Sequence, residues 1–349
     1  MKLKEKNRGS IISALFIIIA ASLLLAFVVV LLNNGDKAKT LQKVVSTNNT
    51  DKTNNQAKTP QKSDTYNKNP EPAQNTNQNQ PQENQPSQSK TPQLNNIPQS
   101  PIGRHVILDL YPEHYSYLKD MNLWVGQLDD AYKAYQDLVG QTPFGGDKIT
   151  IKAVPENPGG EMVAGNPVKW YDIYISDKLK SVSNNNDLSF GPIHELGHDF
   201  DINWQYYIGS SNFTNAENWA NFKLTYVADT LSAKYPDATF YQISSKYLKI
   251  GEFSYKYFYE KYAKPWIDSG RTDWQNMNSD TYTGLLYSIK EQIGWEPFKK
   301  TFRDYATFTS DPPSSDLGKV ELFARTLSKN AGIDLTPQFR KWGFEVYPQ

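Results

Sequence analysis

Apolar and polar positions divide the chain into three stretches. Residues 11–32, IISALFIIIAASLLLAFVVVLL, are 22 positions without a charge. At about 1.5 Å per residue this run is long enough for a helix to cross a hydrocarbon core of roughly 30 Å. Residues 33–101 are dominated by Asn, Gln, Lys, Thr, Ser and Pro, with Tyr66 as their sole aromatic. A tract of that kind cannot bury enough apolar surface to offset the entropy of ordering it. From Ile102 onward aliphatic and aromatic positions return at regular spacing and continue to Gln349. The pattern therefore predicts an N-terminal tail (1–10), a transmembrane helix (11–32), a disordered linker (33–101) and a folded domain (102–349).

Within the folded part, SYLKDMNLWVGQLDDAYKAYQDLVG places Leu118, Met121, Trp124, Val125, Leu128, Ala131, Tyr132, Tyr135 and Leu138 at helical spacing, with Gly140 as a stop. KITIKAV alternates with period two and reads as a strand, and NPVKWYDIYIS reads as a second one. The chain that follows is patterned almost throughout as helix. A small sheet with a mostly helical C-terminal part is an α+β arrangement.

Lys2, Lys4, Lys6 and Arg8 precede the apolar run, so the positive-inside rule puts the N-terminus in the cytoplasm and the folded domain outside the cell. A cleaved signal peptide would need a shorter apolar region and a small-residue cleavage site, and NNGDKAKT offers none. As a flexible coil the linker would span on the order of 45 Å. There is no cysteine, which excludes disulfides and thiolate metal ligands. Lys and Arg balance Asp and Glu at 37 each, and no basic block in the folded part suggests a nucleic-acid partner.

The chemistry concentrates in GPIHELGHDF, residues 191–200, which uses two of the four histidines. His194 and His198 stand four apart, so on a helix both imidazoles leave one face close enough to share a cation. Glu195 lies beside that face. In an H-E-x-x-H arrangement the two neutral imidazoles hold zinc and the glutamate takes a proton from the water that the ion activates.

A catalytic zinc keeps three protein ligands and one open position. Asp201, three residues past His198, lies about 10 Å along a straight helix from His194 and cannot easily converge on the same ion. The positions where a metzincin histidine and its glycine would fall do not hold them, and Trp204 stands at the histidine's place. A second helix, SNFTNAENWANFKLTYVADTLSAKY, begins with Thr214 or Asn215 as cap and carries Glu217 in its first turn, 18 residues beyond His198. Glu217 is the candidate third ligand, with Asp229 in reserve. Asn221 shares its face and could hydrogen-bond a ligand histidine.

GPIHELGHDFD, ENWANFKLTYVAD and LSKNAGIDLTPQFRKWGFEV together resemble the enhancin and mucinase-type zinc metallopeptidases of peptidase family M60, over roughly Ile102 to the C-terminus. The resemblance implies a zincin-like fold, one zinc ion on His194, His198 and Glu217, Glu195 as acid/base, and cleavage of O-glycosylated, mucin-like proteins. Asp199 departs from the asparagine often found there. An oxyanion donor is expected among the later helices, where Tyr282 and Tyr287 are candidates. WYDIYIS could pair with an extended substrate, and Trp170, Tyr171, Trp204, Tyr206, Tyr207 and Trp219 could stack on sugars or fill the core. Phe339, Trp342 and Phe344 are expected to be scaffold. Two other readings stay open: a surface adhesin that binds glycoprotein without cutting it, and a membrane-tethered aminopeptidase, which would require a free substrate amine.

Overall fold

The structure is a computed structural model described over residues 100–242 and 246–348. The tail, the transmembrane helix at 11–32 and nearly all of the linker lie outside the described residues. Among those described, no helix is long and apolar enough to cross a membrane.

The folded part opens with strand β1 (Val106–Asp109), the single helical turn α1 (Pro112–Tyr115) and the long helix α2 (Met121–Val139). Asp120 caps α2 by accepting from the Leu123 amide at 2.8 Å, and Gly140 ends it in the left-handed conformation with φ 75°. Strands β2 (Ile149–Val154), β3 (Met162–Val163) and β4 (Val168–Tyr171) complete a four-stranded sheet in the order β1-β2-β4-β3. β1, β2 and β4 run parallel, and β3 is antiparallel to β4. Val106, Leu108, Ile149, Ile151, Val168 and Trp170 are all fully buried, so this side of the sheet faces the core.

Two sequence expectations change here. NPVKWYDIYIS is not one strand: VKWY is strand, and helix α3 (Asp172–Asn185) starts at once after it. β4 also lies between β2 and β3, so it has no free edge for a substrate; the edge strands are β1 and β3, and β3 is the one beside β4.

Helix α4 (Phe190–Asp199) crosses under the sheet, and α5 (Ala216–Lys234) packs against it. A hairpin of β5 (Thr239–Gln242) and β6 (Lys246–Lys249) follows, then α6 (Ile250–Phe253), a wide π-helical stretch (Ser254–Ala263) and α7 (Lys264–Asp268). Helix α8 (Ser279–Ile293) packs on α5, α9 (Glu296–Tyr305) and α10 (Asp316–Ala331) reach it through Phe298 and Phe323, and α11 (Thr336–Lys341) packs on α10. The aromatic core between them contains Tyr207, Trp219, Tyr282, Phe302 and Phe323. Phe339, Trp342 and Phe344 are buried in the same core, as scaffold residues should be.

Candidate metal centre

Helix α4 presents three faces at once. Ile193, Leu196 and Phe200 are fully buried, and that anchoring fixes which way the rest of the helix points. Tyr135 on α2 donates to the Ile193 carbonyl at 2.8 Å, holding the helix from behind. Gly197 lets α5 come close, since a Cβ there would stand 3.0 Å from the Tyr135 hydroxyl and 3.2 Å from the Ala220 carbonyl. His194 and His198 then project together, with their Nε2 atoms 3.2 Å apart. The Phe190 ring lies flat against His194, centroids 5.2 Å apart at 20°.

The third member arrives on α5. Asn215 caps that helix by accepting from the Asn218 amide at 3.1 Å, which puts Glu217 in the first turn. The loop that brings the chain back is pinned from far along the sequence. The Asp316 carboxylate at the start of α10 accepts from the Ser210 amide at 2.9 Å and the Ser211 amide at 2.8 Å. Glu217 Oε2 lies 3.0 Å from His194 Nε2, and Oε1 lies 3.5 Å from His198 Nε2.

These separations test whether an ion fits. Ligand atoms about 2.0–2.1 Å from a tetrahedral zinc stand roughly 3.3–3.4 Å from one another. The distances of 3.0, 3.2 and 3.5 Å bracket that value, and the donor set of two imidazoles and a carboxylate suits a divalent zinc-like ion. The electrostatics agree. Hydrogen bonds from His194 and His198 hold the Glu217 carboxyl well below the usual carboxylate range. Burial works to lower His198, but Asp201 and Glu217 outweigh it and raise its pKa to about 9. A site that stabilises positive charge on an imidazole also stabilises a cation among the imidazoles.

Glu195 is placed for proton transfer. Its carboxyl is half-buried on the side of the helix next to the loop that follows edge strand β3. Burial raises its pKa, with Glu217 adding to the rise and the two histidines and the Ala164 amide opposing it. An upward shift brings a carboxylate nearer to working pH, as a general base needs.

Other expectations fall away. Asn221 does not reach a ligand histidine: its Nδ2 donates to Asp280 Oδ1 at 3.2 Å, because the α8 N-terminus packs across that face of α5. Asp229, the reserve ligand, is occupied by Lys290 at 2.5 Å and the Trp295 indole at 3.0 Å. Tyr282 is fully buried with Phe213, Trp219 and Phe344 around its ring, so it is a core residue and not an oxyanion donor. Tyr287 is also buried and sits under the Lys290 ammonium, which takes it out of the same role. Among the aromatics considered for sugar stacking, Trp170, Tyr206, Tyr207 and Trp219 are core, whereas Trp204 is 56% exposed.

Sequence reasoning missed Asp201. It is not a ligand, but its Oδ2 lies 3.5 Å from Nδ1 of His198, the nitrogen facing away from the cluster. An acidic residue three past the second histidine was the available sign.

Two ligand histidines on one helix, a carboxylate from the next and a glutamate held beside a sheet edge define the metallopeptidase class. Residues 147–343 match the family Peptidase M60, enhancin and enhancin-like, and the chain belongs to that family. Its relatives include TRPM8 channel-associated factor 2 of Bos taurus, 27% identical over 231 residues, which are 65% of this chain and 22% of that protein. In fold it is similar to a functionally unknown conserved protein from Bacillus anthracis str. Ames, with TM-score 0.53 and 18% identity over 70% of this chain and 48% of that one. A metallopeptidase from Bacteroides thetaiotaomicron is similar at TM-score 0.47 and 16% identity, over 69% of this chain and 40% of that one.

Proposed function

We propose that the chain is a zinc-dependent endopeptidase, anchored in the cell membrane through residues 11–32 with its folded domain outside, that hydrolyses O-glycosylated, mucin-like proteins. The observation that carries the enzymatic part is the convergence of His194, His198 and Glu217, with the Glu195 carboxyl, raised in pKa by burial, on the same helix beside the first histidine. A structural ion needs no such neighbour and is usually closed by four protein ligands.

His194, His198 and Glu217 would hold the ion, which when bound would polarise a peptide carbonyl and acidify a water. Glu195 takes a proton from the attacking water as its oxygen bonds to the peptide carbon, and then returns that proton to the amine nitrogen as the peptide C–N bond breaks. β3 is hydrogen-bonded to β4 on one side only among the described residues, so an extended substrate could add along its other edge. Val163 on that strand and Trp204 beyond the histidine helix are exposed apolar contacts available to a glycopeptide.

A binding reading keeps one point in its favour. The curated relatives carry names for channel association and not for hydrolysis, and the chain spans only about a quarter or less of their length. Mass-spectrometric product analysis of a mucin-type glycoprotein, with and without its O-glycans, separates the two. The full zinc-loaded chain should make internal cuts that need the glycan and vanish in Glu195→Ala. Retained glycoprotein binding without any cleavage would establish the adhesin instead, and cutting only at free amino termini would establish the aminopeptidase.

A further inference from the structure

Lys223 is a lysine with no exposed side chain, and no step of peptide hydrolysis uses it. It stands on α5, the helix that carries Glu217. Its ammonium reaches across to α4, where it donates to the Gly197 carbonyl at 2.5 Å and to Asp201 Oδ1 at 2.5 Å. The other oxygen of Asp201 faces Nδ1 of His198 at 3.5 Å. A chain of contacts therefore runs Lys223, Asp201, His198. The partner ligand has no equivalent, since Nδ1 of His194 is buried with no hydrogen-bond partner among the described residues.

We propose that Lys223 is a positioning residue for the metal centre: it fixes Asp201 so that the carboxylate holds Nδ1–H of His198 and leaves Nε2 to the ion. An imidazole offers one lone pair, and the proton on its outer nitrogen decides which nitrogen is free. A carboxylate on that proton sets both the tautomer and the ring angle. A free Asp201 side chain at the end of a helix would rotate among its rotamers and turn toward water. The buried ammonium removes that freedom, and its second bond, to the Gly197 carbonyl, holds the ammonium itself in place beside Asp201.

This inference rests on the metal-centre reading, and zinc affinity tests the two separately. The full chain would be stripped of metal and titrated with zinc against a chromophoric chelator. Cobalt would then be substituted to read the ligand-field spectrum, and circular dichroism would check the fold of each variant. Wild type should bind one zinc. Asp201→Asn and Lys223→Met should each weaken zinc binding by about 10–100-fold and move the cobalt bands, as loss of an outer partner of a ligand histidine does. The variant carrying both changes removes the two charges together, so it keeps the fold even where Lys223→Met alone does not. Its affinity should equal that of Asp201→Asn, because Lys223 acts through Asp201. Wild-type affinity and spectrum in Asp201→Asn, or in a folded Lys223→Met, would overturn the proposal. So would a paired variant clearly weaker than Asp201→Asn. Failure of the wild type to bind zinc would instead remove the metal-centre reading and this inference with it.

Discussion

The amide of Gly165 donates to Oδ1 of Asp199 across 2.7 Å, joining the loop behind edge strand β3 to the last turn of the histidine helix. Glu195 stands on the same helix one turn earlier, so this bond registers the acid/base helix against the sheet edge. Burial pushes the Asp199 carboxyl up to about 8 against the effect of the Gly165 amide, and its second oxygen has no partner among the described residues. An amide side chain is a close mimic of that group. Asp199→Asn should therefore lie within about 1 kcal/mol of wild type in denaturant unfolding, whereas Asp199→Ala should lose about 1–3 kcal/mol by leaving the Gly165 amide unpaired.

Gly197 is a helical glycine kept for closeness. Replacing it with alanine would ordinarily gain up to about 1 kcal/mol of helix propensity. Here the added methyl would press on the Tyr135 hydroxyl and on the backbone of Ala220, forcing α4 away from α5. Gly197→Ala is expected to destabilise by roughly 1–3 kcal/mol net. Zinc affinity should fall as well, because the shift separates His198 from Glu217. Chemical denaturation and metal titration of one purified sample read both effects.

Tyr282 gives the opposite expectation. Its hydroxyl is buried with no partner among the described residues, so Tyr282→Phe removes a polar atom that makes no bond. Melting temperature should stay level or rise, and peptide hydrolysis should be unaffected. A large loss of kcat with unchanged melting would show that this ring faces the substrate after all.

Acid sensitivity should appear at Asp137. Burial pushes its carboxyl up, but hydrogen bonds from Lys299 and Tyr226 outweigh it and leave the pKa below its ordinary value. A folded-state pKa below the unfolded one stabilises the protein above the unfolded value, near 3.9, and that contribution is lost as pH falls through the folded value. Asp137→Asn should thus be less stable than wild type at neutral pH and converge on it below about pH 4. Unfolding free energies measured at a series of pH values would show whether the two curves meet.

Much of this arrangement was open to reading from local pattern. The periodicity from Met121, the Asn215 cap and the i, i+4 histidines are short-range features, and each lies where its spacing predicts. DIYIS misled because a five-residue alternation of Ile173 and Ile175 suits either a strand or a helix whose inner face is carried by Ile175 and Leu179. Ile173 is in fact 61% exposed. Lys223 was beyond reach for a different reason: it lies 22 residues past Asp201 in sequence, and only the packing of α4 on α5 brings its ammonium there. Asn221 shows the same limit from the other side, since its helical face was right and its partner came from Asp280, 59 residues away.

The Asp316 clasp on Ser210 and Ser211 changes what the interval between His198 and Glu217 stands for. Two backbone amides held by a carboxylate 106 and 105 residues downstream fix where the connecting loop ends. The loop is then fastened twice before the third ligand, by its buried rings Tyr206 and Tyr207 and by the Asp316 carboxylate at its far end. Cutting the Asp316 fastening should loosen that ligand with every residue of the interval intact.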